Sequence, residues 1–210
     1  MHNINKIIYT VNFGGYDKVK PIARFKGWHR VIFSDVLVNG FDECILVNLK
    51  GLNAQKESRR YKWLIHQYYP NASLYCYLDA SMVLLRSPML NNCFVRHPKR
   101  NNIQIEAKRI LYLKKANKED VDRQIKFYLN DGFKDNFGLY QNGFFVRENN
   151  SEINKLCELV CGQVDIYTNR DQLALPYCLW KLGFKVNSIS AKEASKFIRI
   201  LSHNSISQRK

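Results

Sequence analysis

The sequence predicts an α/β fold, with a mainly parallel central sheet covered by helices, organised as one domain over residues 1–210 with a basic polar tail from about residue 202. Three observations predict it. Short β-rich apolar runs recur through the first fifty residues, broken by Gly, Asp and Asn signals. A stretch with helical period follows them. The next run, Leu74-Tyr75-Cys76-Tyr77-Leu78, has no helical period and follows a Pro-Asn break, as suits a strand buried on both faces. Strands, then a helix, then an apolar strand is the order of a parallel sheet with helices laid over it.

Taken in order, Lys6 to Phe13 is the opening strand, and Gly14-Gly15-Tyr16-Asp17 breaks it at once. Arg30 to Asp35 is a second strand ending in an acid, and Cys44 to Leu49 a third. Between Asn53 and Pro70, Tyr61, Leu64, Ile65 and Tyr68 follow the i, i+3, i+4, i+7 rule of an amphipathic helix. The central run Leu74–Leu78 then ends abruptly at Asp79. Met82 to Leu85 continues extended or loops back, and Cys93 to His97 is a further strand running into the basic loop through Arg100. A helix is expected from Lys118 to Asn130, closed by Asp131-Gly132. Gly138 to Arg147 reads as a strand interrupted at Asn142-Gly143, a bulge or a point where backbone meets ligand. Ser151 is expected to cap the next helix, and another runs from near Asn169 to Gly183 with Pro176 inside it, a residue that kinks or delays a helix. Lys185 to Ile189 is a short last strand.

Composition bounds the function. Hydrophobic residues at 46% and aromatics at 13% are those of a packed globule rather than a disordered chain. No apolar stretch approaches the about 20 residues of a membrane span, and no signal-peptide core follows Met1–Lys6, so a soluble chain is expected. The net charge of +15 favours anionic partners: a nucleotide-bearing small molecule, an anionic membrane surface or nucleic acid. No RNA-binding or helix-turn-helix signature supports the last, and no nucleophile elbow or zinc-helix motif supports a simple hydrolase. The six cysteines have no metal spacing and mostly sit in apolar runs, which suits buried thiols in a reducing, cytoplasmic compartment.

The chemistry is expected at strand ends. Ligands of open α/β sheets collect at the carboxyl ends of parallel strands, and Asp35, Asp79 and the Gly14-Gly15 loop all fall at such ends. A carboxylate there, with a neighbouring hydroxyl such as Ser81, holds a divalent ion together with a diphosphate; a plain strand-end turn is the alternative. His97 and Arg100 follow a strand and reach a phosphate or hydroxyl, or form an ordinary basic loop. Asp171, between Arg170 and Gln172, either caps its helix or orients and deprotonates an acceptor hydroxyl. Glu106 and Gln124 are helix-face residues with an open role.

Several segments together resemble a known family: Tyr9-Thr-Val-Asn-Phe-Gly-Gly-Tyr-Asp17, Arg60-Tyr-Lys62, Leu78-Asp79-Ala80-Ser81, His97-Pro-Lys-Arg100 with Glu106, Gln124 with Tyr128, Gly138-Leu139, Asn142 with Arg147, and Arg170-Asp-Gln-Leu173. They look like the ordered motifs of the glycosyltransferase-like domain of plant mucilage and turgor-regulation proteins and of bacterial polysaccharide loci. The resemblance implies a GT-A-like nucleotide-binding fold and sugar transfer from a nucleotide-sugar donor to a glycan or lipid-linked acceptor; the basic charge adds an expectation of peripheral contact with an anionic membrane at the inner face, and no nucleic acid is expected. The resemblance also implies Mn2+ or Mg2+ at Asp79, with Ser81 and His203 as further ligands, although Asp79-Ala80-Ser81 departs from the Asp-x-Asp usual in metal-dependent sugar transferases. Asn12, Gly14, Gly15 and Asp35 would face the donor, as would Arg60, Lys62, Arg100 and Gln172. Glu106, Gln124 and Asn142 would face the acceptor, and Asp171, His97 and Arg170 would carry catalysis.

Overall fold

The structure, a computed structural model, describes residues 4–88, 91–135 and 137–201. The chain opens with β1 (Lys6–Asn12), β2 (His29–Ser34) and β3 (Glu43–Leu46), then helices α1 (Ala54–Trp63) and α2 (Ile65–Tyr68). The central run forms β4 (Leu74–Leu78), followed by β5 (Met82–Leu84) and β6 (Cys93–Arg96). Helices α3 (Ile103–Tyr112) and α4 (Lys118–Asn130) precede β7 (Tyr140–Glu148). Then come α5 (Ser151–Ile166), α6 (Asp171–Lys181), β8 (Asn187–Ile189), α7 (Ala191–Ala194) and β9 (Ile198–Ile200).

Seven strands make one sheet in the order β3-β2-β1-β4-β7-β6-β8, and β5 pairs with β9 in a separate two-stranded ribbon. β1 runs parallel to β2 and β4, β2 parallel to β3, and β6 parallel to β8; within this sheet β7 is antiparallel to both its neighbours, and the β5–β9 ribbon is antiparallel. The sheet is thus mainly parallel, as the sequence predicts. Tyr9 stands opposite Tyr77, so β1 and β4 end side by side and deliver Asn12 and Asp79 to the same edge.

All five β4 residues are buried, and the alternation of side chains explains why. Tyr75 and Tyr77 join Ile7, Tyr9, Val31, Phe33, Phe94 and Phe145 in a large core beneath the helices. Leu74, Cys76 and Leu78 join Ile8, Phe144 and Val146 in a smaller core on the opposite face, closed by Ile22, Trp28, Leu84, Ala194 and Ile198. Period-2 alternation of apolar side chains on both faces is what a doubly covered strand requires.

Some boundaries differ from the expectation. The third strand stops at Leu46, shorter than the run to Leu49. The helix expected through Pro70 breaks at Leu64, where the backbone leaves helical geometry. Arg147, fully buried, explains how the break is tolerated: its guanidinium donates to the orphan carbonyl of Trp63 at 3.2 Å, meets His66 Nδ1 at 3.1 Å and donates to Asn154 at 2.9 Å. Asn150, not Ser151, caps α5, its side chain accepting from the Ile153 amide. Asn-Gly does not end β7, but the β6 register jumps there, Phe94 facing Phe145 while Val95 faces Gln141. Asn142, Gly143 and Phe144 form the bulge. Pro176 lies inside a continuous α6. The tail from residue 202 lies outside the described residues.

Candidate functional site

At the carboxyl edge of β1 and β4 lies a cleft of about 770 Å³. β1 contributes Val11 and Asn12, the following loop Tyr16 and Asp17, β4 and its turn Tyr77, Asp79 and Ala80, and the β7 bulge Gln141, Asn142 and Gly143. One stripe of α1 faces in: Gln55, Ser58, Arg59 and Lys62, spaced as one helical face. The start of α6 brings Asn169, Arg170, Asp171 and Gln172, and the α3–α4 turn brings Lys114, Lys115 and Asn117.

Asp79 is held from three sides. Tyr77 donates its hydroxyl to Oδ1 at 2.7 Å, the Asp79 amide donates to the Gly143 carbonyl at 2.8 Å, and the Met82 amide donates to the Asp79 carbonyl at 2.8 Å. Oδ2 lies so close to the bulge that a Cβ on residue 143 would stand 2.8 Å from it and 2.4 Å from the Met82 methyl. Glycine permits this approach without displacing the Met82 methyl or the Asp79 carboxylate.

Behind Asp79 sits a buried charge cluster. Lys62 Nζ lies 2.7 Å from Asp171 Oδ2 and 4.7 Å above the Tyr77 ring. The same Oδ2 accepts the Trp63 indole N–H at 3.1 Å and faces Arg59 Nε at 3.9 Å. Burial opposes ionisation of Asp171, but Lys62 and Arg59 outweigh it and hold the carboxyl well below the usual range. Burial likewise pulls Lys62 down, against the carboxylates of Asp171 and Asp79. A carboxylate so stabilised is a poor proton acceptor. Asp171 therefore anchors Lys62 and Arg59 at the back of the cleft, and it is the first residue of α6 rather than its cap.

Asn142 is 3% exposed, lines the cleft, and neither its Nδ2 nor its Oδ1 has a hydrogen-bond partner among the described residues. A buried amide left unpaired costs about 1–3 kcal/mol, so such a group at a cleft wall is a ready contact for ligand hydroxyls.

The remaining expected residues divide. Asn12, Lys62, Asp79, Asn142, Arg170, Asp171 and Gln172 come together in the cleft. Asn12 also closes the loop after β1, exchanging hydrogen bonds with the Asp17 backbone at 3.1 Å in both directions. Gln172 donates to the Tyr140 carbonyl at 3.2 Å and ties α6 to the start of β7. Gly14, Gly15 and Asp35 do not line it; Asp35 instead accepts the Gly14 amide on both oxygens at 3.1 and 3.0 Å, fixing the turn with both glycines at positive φ. Arg60 turns away toward Asp165, 3.0 Å distant. Arg100 is bound to the buried Glu106, and His97 accepts the amides of Lys99 and Arg100 at 3.1 and 3.0 Å; none of the three lines the cleft. Burial and Arg100 keep His97 below the ordinary histidine value. Gln124 is fully buried, donating to Tyr128 and accepting from Thr168, each at 2.8 Å, and so shapes the segment entering α6. Ser81 is buried outside the cleft lining, and its carbonyl accepts the Leu201 amide at 2.9 Å. His203 lies outside the described residues.

Arg59 is the residue that the sequence reading missed. Its signal was helical phase: Arg59 and Lys62 are i, i+3 on α1, whereas Arg60 falls on another face. Among the described residues no group of three or more His, Cys, Asp or Glu is arranged to hold a metal ion. Asp79, with one oxygen accepting from Tyr77, is a lone carboxylate that would supply at most one side-chain ligand to a hard ion.

A family model described as TOD1/MUCI70, glycosyltransferase-like domain, matches residues 43–203, more than half of the chain. The match runs from β3 through β9 and includes Lys62, Asp79, Asn142 and Asp171, while β1, β2 and the Gly14-Gly15 turn precede it. No curated protein matches the chain.

Proposed function

Because the chain belongs to the TOD1/MUCI70 glycosyltransferase-like domain family and has a GT-A-like α/β fold, we propose that it transfers a sugar from a nucleotide-sugar donor to a glycan or glycolipid acceptor in surface polysaccharide synthesis. The observation that carries this reading is the meeting of Asp79 with Arg59, Lys62 and Arg170 in one cleft at the carboxyl edge of the sheet. Its volume of about 770 Å³ falls in the usual range of small-molecule sites, roughly 300–1,000 Å³.

In this reading the donor diphosphate lies between Asp79 and the cations. Arg59 and Lys62, prealigned on Asp171, face the negative charge that develops on the departing nucleoside diphosphate. Asn142 supplies one donor and one acceptor to sugar hydroxyls. Mn2+ or Mg2+ would be held by Asp79 together with donor phosphates, where it would neutralise leaving-group charge. We place this work at a cytoplasmic membrane face, a compartment in keeping with six unpaired cysteines.

A thermal-shift screen against UDP-, GDP-, ADP- and CMP-sugars, with and without Mn2+, tests the reading. A ligand at a hundred times its dissociation constant adds about 2.7 kcal/mol of stability, an easily read rise in Tm. Stabilisation by one nucleotide class supports the proposal. Stabilisation by none, with salt-sensitive binding to an anionic glycan instead, would make the chain a non-catalytic binding protein.

A further inference from the structure

The turn between α3 and α4 combines two features that the cleft does not explain. Tyr112 is 76% exposed and Leu113 39%, next to Ile105 at 46% and Leu129 at 43% on the same helix pair. Between α3 and α4 runs a mostly apolar groove of about 440 Å³, walled by Ala107, Leu111, Val121, Ile125 and Leu129. Lys108, Arg109, Lys114, Lys115 and Lys126 are all exposed around it, and none makes an ion pair with the described residues. The acids nearby are largely spent: Asp122 pairs with Lys118 and Asp120 with Arg123, leaving Glu119 against five cations. Arg109 stacks on Tyr112 at 5.1 Å, so the ring and the charge share one exposed site.

Exposed apolar side chains set among unpaired cations meet both requirements of reversible membrane binding, insertion into the interface and attraction to anionic headgroups. A tyrosine, apolar in body and polar at its tip, suits that boundary. We propose that the α3–α4 face, led by Tyr112, Leu113, Lys114 and Lys115, docks the protein on an anionic lipid bilayer. Lys114 and Lys115 also line the cleft, so docking through this turn sets the cleft mouth against the bilayer surface, where a lipid-linked acceptor is delivered. The overall charge of +15 adds long-range attraction, and no helix of the described residues is long and apolar enough to cross the bilayer. Vesicle binding is read with no nucleotide sugar present, so it holds or fails separately from donor binding even though Lys114 and Lys115 border the cleft.

Co-sedimentation of the 210-residue chain with phosphatidylcholine vesicles and with 7:3 phosphatidylcholine–phosphatidylglycerol vesicles tests it. Binding is expected to the mixed vesicles only, weakening steeply with salt. Lys114→Glu/Lys115→Glu should weaken it at least tenfold, and Tyr112→Ser/Leu113→Ser severalfold. The control Lys192→Glu/Lys196→Glu, which makes the same charge change on α7 and the turn after it, should leave binding within twofold. Equal loss in the control, no binding at low salt, or binding unchanged by the α3–α4 variants with thermal melts preserved would each overturn the proposal.

Discussion

Lys62 and Asp171, brought from α1 and α6, bury an ammonium 2.7 Å from a carboxylate at the back of the cleft. The pair is the joint between the fold and the site, because its members are buried at the cleft's inner wall and hold Arg59 and Asp79 beside them. Lys62→Met should therefore destabilise the protein by about 3–5 kcal/mol, since it removes the nearest cation from a buried carboxylate and leaves it the Trp63 N–H and the more distant Arg59 and Arg170. The double variant Lys62→Met/Asp171→Asn should lose less than Lys62→Met alone. Urea unfolding of the three proteins checks both statements.

The same pair sets a pH dependence. Asp171 has its carboxyl held below the unfolded value, so its contribution is complete above about pH 4 and is lost as pH falls further. The stability difference between wild type and Asp171→Asn should be constant from pH 7 to 5 and shrink below about pH 4. Thermal melts across that range would show it.

Asn142→Leu separates ligand contact from folding. Replacing an unpartnered buried amide by an apolar side chain of similar size removes a desolvation cost, so stability should hold or rise by up to about 2 kcal/mol. Sugar transfer should nonetheless fall by about tenfold or more, the loss of about 1.5 kcal/mol or more of hydroxyl contact. Paired melts and donor turnover decide it.

Gly143→Ala tests the close approach behind Asp79. The added methyl would stand 2.8 Å from Asp79 Oδ2 and 2.4 Å from the Met82 methyl. Both atoms are side-chain ends that can swing aside, so the stability cost should stay at the low end of overpacking, about 1 kcal/mol, while donor binding weakens as the carboxylate is displaced. A variant matching wild type in titration calorimetry and melting would contradict this account of the bulge.

The architecture was legible because its signals are local. The doubly buried β4 announces itself as an apolar run without helical period, and its terminal Asp79 stands at the sheet edge as strand order implies. The same logic expected Asp35 and the Gly14-Gly15 loop beside Asp79, and of these only Asp79 lines the cleft; Asn12 came from the family resemblance and Asp171 from its place at a helix start. What the sequence could not give was direction and partnership. Asp35 ends a strand as Asp79 does, yet it is consumed by the Gly14 amide, a contact between segments far apart in the chain. Glu106 and Arg100 satisfy each other, and Gln124 is spent on Tyr128 and Thr168. Arg59 and Arg60 are neighbours in sequence and differ only in helical phase, which decides that one meets the cleft and the other Asp165. α3 was not delimited, although Asn102 caps it through the Ile105 amide.

The central claim is that Asp79 and the cations around it hold a nucleotide-sugar diphosphate. The most direct measurement is release of nucleoside diphosphate by wild type and Asp79→Asn, using the nucleotide sugar that stabilises the wild-type protein. A fall of about a hundredfold or more in Asp79→Asn, with its melting temperature preserved, is the expected result. Unchanged turnover together with unchanged donor binding in that variant would contradict it.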